Sequence, residues 1–239
     1  MVNFSVVIPL YNESENIQKI VNEIYVSLKD YKNFELILVN DGSDDNSQSI
    51  LEKIKIDFPI ILINNESNMG QSFSIWTGIK KSNNKTIVTL DGDSQNNPSD
   101  IPKLLNIYFS KKILSLVGGI RKKRKDNFLK VSSSKIANKI RSFILDDDCV
   151  DTGCSLKVFD RDIFLSFPFF NGLHRFLPAL FKGYGKNTFF IEVDHRPRVS
   201  GISKYGTIDR FFKGILDIIR VKKIINGNKL KNKDIFNDF

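Results

Sequence analysis

The amino-acid sequence predicts an α/β fold with a mostly parallel central sheet flanked by helices. Through residue 110, apolar runs of strand length alternate with segments of helical periodicity, and this alternation is typical of right-handed βαβ units. Acidic clusters follow two of the predicted strands, and parallel sheets bind ligands at the carboxyl ends of their strands. The chain has 239 residues, 41% of them hydrophobic, which is enough for one large core.

Apolar, β-branched runs predict the strands, and apolar residues spaced three and four apart predict the helices. The predicted strands are 4–10, 34–39, 60–63, 86–90, 114–120, 154–159 and 188–193. The predicted helices are 14–28, 46–55, 70–80, one that begins at Pro98, 132–145, 173–182 and 208–225.

The segment TIVTLDGDSQNNP, residues 86–98, contains the strongest candidate site. If it stays extended after the strand, Asp91, Asp93 and Gln95 share one face and offer three oxygen ligands. Such ligands suit Mg²⁺ or Mn²⁺ together with a substrate phosphate. Gly92 lets a ligand approach the backbone closely. The alternative is a polar turn, in which Asp-Gly-Asp is common.

Composition narrows the possible partners and location. The net charge of +9 favours anionic partners such as nucleotides, lipid phosphates, an anionic membrane surface or nucleic acid. Cys149 and Cys154 lack the spacing of a metal site or disulfide framework, so we expect free thiols in a reducing compartment. The N-terminal residues do not resemble a signal peptide, and no uncharged apolar run reaches the ~18–20 residues of a membrane span. We therefore expect a soluble or peripheral protein.

Five motifs occur in order along the chain: VVIPLYNE, NDGSDD, NMGQSFSIWTGI, LDGDSQNNP and HRPRVSGISKYG. Together they resemble the family 2 inverting glycosyltransferases, in the subgroup of dolichol-phosphate mannose synthases and bacterial polyprenyl-phosphate glycosyltransferases. The resemblance covers residues 4–206 and implies a GT-A type nucleotide-diphospho-sugar transferase fold. We expect residues 1–206 to form this domain and residues 207–239 to form an amphipathic helix and a basic tail.

The resemblance also implies roles for individual residues. Those expected to bind the nucleoside are Pro9, Tyr11, Glu13, Val39 and Asp41, with Asp41 holding the base. Those expected to bind the nucleotide, a divalent metal or both are Asp91, Gly92 and Asp93, and Gln95 joins the metal ligands. Those expected to be catalytic are Asp93 and three cations for the donor diphosphate or acceptor phosphate, Arg121, Arg198 and Lys204, with Arg196 as a nearby candidate.

The implied reaction moves a sugar from a nucleoside diphosphate to a polyprenyl phosphate with inversion. The expected donor is GDP-mannose, with a UDP-sugar second; Asn40 and Ser94 depart from the family pattern and blur this choice. The acceptor phosphate is already an anion, with a second pKa of about 6, and needs little help from a general base. This agrees with the chain's two histidines, His174 and His195, which we expect to be structural.

Several alternatives stay open. The basic segment 121–130 either closes over the donor phosphates or is a solvated charge run. The segment Asp151-Thr152-Gly153 either shapes the acceptor site or caps a turn. The helix after Thr207 either lies in a membrane interface or packs on the core.

Two other functions compete with the lipid-phosphate reaction. One is sugar transfer to a cell-surface glycan or a protein. The other is binding of nucleic acid or another anionic surface, but the basic run RKKRKD lacks interleaved aromatic residues for stacking. We therefore expect no nucleic-acid partner. The expected location is the cytoplasm, at the cytoplasmic face of the membrane, with a membrane protein as a further partner.

Overall fold

Seven strands form one sheet in the computed structural model, which describes residues 2–111, 113–122, 141–197 and 214–228. The strands are β1 (Phe4–Leu10), β2 (Phe34–Asn40), β3 (Ile60–Asn64), β4 (Thr86–Thr89), β5 (Leu114–Arg121), β6 (Lys157–Asp160) and β7 (Asn187–Val193). Their order across the sheet is β3-β2-β1-β4-β6-β5-β7. Strand β6 runs antiparallel to both of its neighbours, whereas the other pairs are parallel. The predicted, mostly parallel sheet is confirmed.

The helices cover both faces of this sheet. They are α1 (Ser14–Ser27), α2 (Ser47–Asp57), α3 (Gln71–Lys81), α4 (Ile101–Ser110), α5 (Arg161–Ser166) and α6 (Leu177–Gly183). Residues 141–145 and 214–228 are also helical. One hydrophobic cluster packs α1, α2 and α4 on one face, and a second packs α3, α5, α6 and the helix 214–228 on the other. The result is a three-layer α/β/α arrangement.

Two predicted elements differ from the structure. The predicted strand 154–159 begins only at Lys157, because residues 151–154 form a turn in which the Cys154 N–H donates to the Asp151 carbonyl at 3.3 Å. The predicted helix 173–182 is a 3₁₀ turn, Leu173–Arg175, followed by α6. Pro178, which has no N–H to donate, lies in the first turn of α6. The described residues contain no helix that could cross a bilayer.

The parallel register of β1 with β2 and β4 sets the position of the two acidic turns. Leu10 pairs with Asn40, and Val7 pairs with Thr89. The carboxyl ends of β2 and β4 therefore flank the end of β1. The turn at Asp41 and the turn at Asp91 lie on either side of it, at one edge of the sheet.

A glycine allows α3 to pack directly on this part of the sheet. A Cβ atom at Gly78 would lie 2.5 Å from Val7 Cγ1 and 3.0 Å from Val39 Cγ2. Such contacts are far shorter than the van der Waals distance, so any larger residue must push α3 away from β1 and β2.

Gly78→Ala is expected to lower the free energy of unfolding by about 1–2 kcal/mol, because overpacking outweighs the better helix propensity of Ala. The measurement is urea denaturation followed by circular dichroism. The matched control is Gly227→Ala, in the helix 214–228, where an added Cβ meets no atom within 4 Å. Equal stability of the two variants would contradict this packing.

Candidate functional site

The turn after β2 is locked by the side chain of Asp41. This carboxylate is buried and accepts hydrogen bonds from the backbone N–H of Met69 at 3.0 Å and of Gly70 at 2.9 Å, and from Asn65 Nδ2 at 2.7 Å. Gly42 has a φ of +67°, and a Cβ there would lie 2.5 Å from the Ser67 carbonyl carbon. Asp41 thus fixes the loop that leads into α3. Its predicted contact with a base stays a prediction.

The other residues predicted to bind the nucleoside lie around the end of β1. Pro9 pairs with Val39 across β1 and β2, and the Val39 side chain is fully buried in the core under α3. Tyr11 is half-buried, and Glu13 accepts a hydrogen bond from Asn16 Nδ2 at 2.7 Å. The structure therefore brings these positions to the same sheet edge as Asp41, with Val39 facing inward.

The turn after β4 holds two carboxylates. Asp91 Oδ1 accepts a hydrogen bond from Gln71 Nε2 at 2.7 Å, and the buried Asp93 accepts one from the Gln95 N–H at 3.2 Å. Ser94 has a left-handed φ of 59°, so the segment is a turn. The premise of an extended segment with alternating side chains was wrong, because the Asp93 side chain bonds the backbone two residues on and favours a turn.

Gly92 is where this turn touches β1. A Cβ at this position would lie 2.4 Å from Leu10 Cδ2 and 3.1 Å from the Pro9 carbonyl oxygen. The close neighbour is β1 itself, so the structural reason for glycine here is the approach of two parts of the chain.

The two carboxylates interact electrostatically. The pKa of Asp91 is raised to about 6, first because the cleft removes water from the carboxyl and second because the charge of Asp93 repels its own. A hydrogen bond from Ser155 and the positive charges of Lys157 and Arg121 act in the opposite direction and are outweighed. A divalent cation would relieve this repulsion.

Arg121, at the end of β5, is held by Asp151. Its Nε donates at 2.7 Å and its Nη2 at 2.6 Å to the two oxygens of this carboxylate, and its backbone N–H donates at 3.1 Å. Burial lowers the pKa of the guanidinium, but the hydrogen bond and charge of Asp151 outweigh burial and raise it. A Cβ at Gly153 would lie 2.8 Å from Arg121 Nη2. Asp151 therefore orients the guanidinium of Arg121, and Gly153 leaves the space that this guanidinium occupies.

The segment after β7 lies along the Asp91 turn. His195 forms a backbone bridge with Asn96, and the Arg196 N–H donates to the Gln95 carbonyl at 2.9 Å. The Arg196 side chain donates to both carboxylate oxygens of Glu23, at 2.9 and 2.7 Å. Arg196 thus fastens this segment to α1. Arg198 and Lys204 lie outside the described residues, as does most of the segment 121–130.

A cavity of about 210 Å³ opens beside Asp91. Its lining includes the charged or polar residues Gln71, Asp91, Ser155, Lys157, His174 and Arg175. The sequence analysis missed Lys157, which is 3% exposed and donates from Nζ to the Cys154 carbonyl. The available signal was a single lysine at the start of the apolar run KVF, where a buried ammonium needs a polar partner.

His174 is neutral in this cavity. Its Nδ1 lies 2.6 Å from Ser72 Oγ, and its pKa is lowered to about 3, chiefly by burial and then by the charges of Arg175 and Lys157. His195 Nδ1 lies 2.8 Å from the Arg196 carbonyl. Both histidines are thus engaged with the protein itself, as expected for structural residues.

Comparison with known families identifies the family and the fold of this chain. The model of the family described as "Glycosyl transferase family 2" matches residues 5–166. The chain belongs to glycosyl transferase family 2. Predicted membership of this family is confirmed.

Two curated relatives of this chain are polyprenyl-phosphate sugar transferases. The chain is 34% identical to dodecaprenyl-phosphate galacturonate synthase of Rhizobium johnstonii, over 91% of the chain and 65% of the relative. It is also 34% identical to undecaprenyl-phosphate 4-deoxy-4-formamido-L-arabinose transferase of Proteus mirabilis, over 84% of the chain and 62% of the relative. The chain therefore spans less than two thirds of the length of these relatives.

A solved structure shows the same fold. Glucosyl-3-phosphoglycerate synthase from Mycobacterium tuberculosis, in complex with Mn²⁺, UDP-glucose and phosphoglyceric acid, aligns with a TM-score of 0.71 and 17% identity over 93% of this glycosyltransferase and 80% of that chain. The predicted GT-A fold is confirmed.

Asp91→Asn is expected to stabilise this glycosyltransferase in EDTA at pH 7.5 by about 1–2 kcal/mol. The pKa of Asp91 is higher in the folded protein than its ordinary value of 3.8. Ionisation therefore costs stability as the pH rises from about 4 to about 6, and the cost persists above that range. Urea denaturation at pH 4 and pH 7.5 measures the effect, which should vanish at pH 4. Asp57→Asn, at an exposed position in α2, is the control. A variant less stable than the wild type at pH 7.5 would contradict the raised pKa.

Proposed function

We propose that this chain transfers a sugar from a nucleoside diphosphate to the phosphate of a polyprenol. The observation that carries the proposal is the paired carboxylates of Asp91 and Asp93 at the sheet edge, next to the cations Arg121 and Lys157. This arrangement suits a phosphate-bearing donor and its metal ion, and the two curated relatives are named for polyprenyl-phosphate acceptors.

The residues present fit a Mg²⁺ or Mn²⁺ ion. Asp91 and Asp93 offer carboxylate oxygens from one turn, and the described residues contain no cluster of three His, Cys, Asp or Glu side chains that could form an all-protein cage. Gln95, whose Nε2 donates to the Arg196 carbonyl at 3.4 Å, is proposed as a third ligand through its side-chain oxygen. Two carboxylates and substrate phosphates are the usual environment of Mg²⁺ in transferases. When bound, the ion supplies neutralisation of the departing diphosphate.

The chain's own residues supply positioning and charge. Arg121, oriented by Asp151, directs a permanent cation toward the carboxylate turn, and Arg198 and Lys204 are the further cations that we propose for the phosphates. No histidine is needed as a base, because the acceptor phosphate is already an anion. His174, which is bonded to Ser72 and whose pKa is lowered to about 3, is also too weak a base to take up a proton near neutral pH. An in-line attack by this phosphate inverts the anomeric centre.

The proposed donor sugar differs from the one that the sequence favoured. The two relatives are named for galacturonate and for 4-deoxy-4-formamido-L-arabinose. We therefore propose an acidic or 4-substituted sugar ahead of mannose as the transferred group. UDP is one candidate for the nucleotide that carries it. Both relatives are also named for a polyprenyl phosphate. We therefore propose a polyprenyl phosphate as the acceptor, ahead of a glycan or a protein.

Asp93→Asn is expected to lower transfer at least about a hundredfold, because it removes one of two carboxylates for the metal ion. The assay follows sugar transfer to undecaprenyl phosphate in detergent from UDP-galacturonate, UDP-glucose and GDP-mannose with Mn²⁺. EDTA should stop the wild-type reaction, and the exposed-site variant Asp57→Asn should keep it. Full activity in EDTA, or of Asp93→Asn, would refute the proposal.

A lipid acceptor requires contact with a membrane, and one face of the molecule suits it. The helix 214–228 buries Val221 and Ile225 against the domain but exposes Ile215, Leu216 and Ile219. Phe143, in the neighbouring helical residues 141–145, is 89% exposed. Lys222 Nζ ties the two segments together by donating to the Ile144 carbonyl at 2.8 Å. The inner side of this helix thus packs on the core. We propose that its outer side lies in the membrane interface.

The double variant Phe143→Ser/Leu216→Ser is expected to lose most of its binding to vesicles of phosphatidylcholine and phosphatidylglycerol, because it removes the most exposed apolar groups of this face. Vesicle flotation measures the bound fraction. The control is Ile56→Ser, which removes an 84% exposed apolar side chain from α2 on the opposite face of the sheet. Unchanged flotation of the double variant would refute the membrane contact.

A further inference from the structure

The cavity beside Asp91 has a second cation whose position depends on the C-terminal helix. Arg175 lines this cavity, and its Nη2 donates to Asp217 Oδ2 at 3.0 Å. Asp217 belongs to the helix 214–228 and is only 3% exposed, although three apolar residues of the same helix face outward. A buried carboxylate is costly unless it is paired, and two cations flank Asp217: Arg175 at 3.0 Å and Arg220 of the same helix, whose Nη1 lies 3.7 Å from Oδ1. The shorter contact is the one with Arg175.

A glycine makes room for the ion pair. Gly172 has a φ of +101°, and a Cβ at this position would lie 2.9 Å from Arg175 Nη2 and 3.1 Å from Asp217 Oδ2. Any other residue at position 172 would therefore be unfavourable, because its side chain would collide with the ion pair and its backbone would need a left-handed conformation. The 3₁₀ turn Leu173–Arg175 that follows carries His174 and Arg175 into the cavity wall.

Asp217 accepts from Nη2 of Arg175, and the rest of this guanidinium stays available, since the side chain is 42% exposed. Its Nε is buried and has no hydrogen-bond partner among the described residues. Since Arg175 lines the cavity together with Lys157, an anionic oxygen bound there would accept from the exposed part of the guanidinium and would meet two positive charges.

We propose that Arg175 binds an anionic oxygen of the substrate in this cavity and that Asp217 is its positioning residue. The inference rests on the proposed function, since the anionic oxygen belongs either to the acceptor phosphate or to an acidic group on the donor sugar. It goes further in making transfer depend on the seating of the helix 214–228, the same helix whose outer side we assign to the membrane. A helix displaced from the domain would leave Arg175 without its orienting carboxylate.

The test measures kcat and KM for Arg175→Gln, Arg175→Lys, Asp217→Asn and the double variant Arg175→Gln/Asp217→Asn. Arg175→Gln is expected to lower kcat/KM by about tenfold to a hundredfold, the range of a hydrogen bond to a charged group. Asp217→Asn should cause a similar loss, and the double variant should be no worse than about twofold below Arg175→Gln, because the two residues act as one unit. Thermal unfolding of each variant measures the folded fraction.

The two sources of the anionic oxygen give different results. If it belongs to the acceptor, Arg175→Gln raises the KM for undecaprenyl phosphate with every donor. If it belongs to the sugar, the loss appears with UDP-galacturonate and not with UDP-glucose. Asp148→Asn is the control, since it removes a carboxylate from an ion pair of 2.9 Å with Lys182 that does not line the cavity.

The inference is overturned if Arg175→Gln keeps kcat/KM within about twofold of the wild type, or if the losses of the two single variants multiply in the double variant. Failure of the proposed function looks different. In that case the wild type itself transfers no sugar to undecaprenyl phosphate from any of the donors, and both conclusions fall together.

Discussion

The electrostatic repulsion between Asp91 and Asp93 is the constraint on which the candidate site depends. The cleft withdraws water from Asp91, and the second carboxylate opposes its ionisation. The surrounding chain holds the pair in place: Gly92 packs on the end of β1, and Gln71 at the start of α3 bonds Asp91 directly. The sheet thus holds an unfavourable charge arrangement at its edge, and a cation bound between the two carboxylates would remove that cost.

The site is assembled from parts of the chain that are distant in sequence. Asp151 orients Arg121 from 30 residues away, and Arg196 joins Glu23 across 173 residues. Arg121 bonds both oxygens of Asp151 through two nitrogens, which fixes orientation as well as distance. Arg196 reaches both oxygens of Glu23 through Nη1 and Asn97 through Nη2. The antiparallel strand β6 is central to this assembly, since it places Lys157 between β4 and β5 and beside Asp91.

Local patterns in the sequence were sufficient to predict the mostly parallel sheet and to place the two acidic turns at one of its edges, and they failed where long-range contacts decide. Alternation of apolar runs with amphipathic segments predicted β1 to β5 and the helices between them, because each such segment buries one face on its own. The short helix α5 was missed, although Asp160 caps it by accepting from the Ile163 N–H at 2.9 Å. The pairing of Arg121 with Asp151 could not be predicted, since a contact across 30 residues leaves no local periodicity. The burial of Lys157 left only one weak signal, its position at the start of an apolar run. The Asp91 turn was taken for an extended segment because side-chain bonds to the backbone are invisible in a hydrophobicity pattern.

The burial of both cysteines has a practical consequence for watching this molecule at work. Cys149 and Cys154 are free and each 1% exposed, and burial raises the pKa of Cys149 to about 11. Maleimides react with thiolates, so neither native thiol competes for a label while the protein is folded. A cysteine introduced on the outer face of the helix 214–228 would then carry the only thiol-coupled label on the folded protein, and the emission of an environment-sensitive dye there would report the polarity of whatever that face touches.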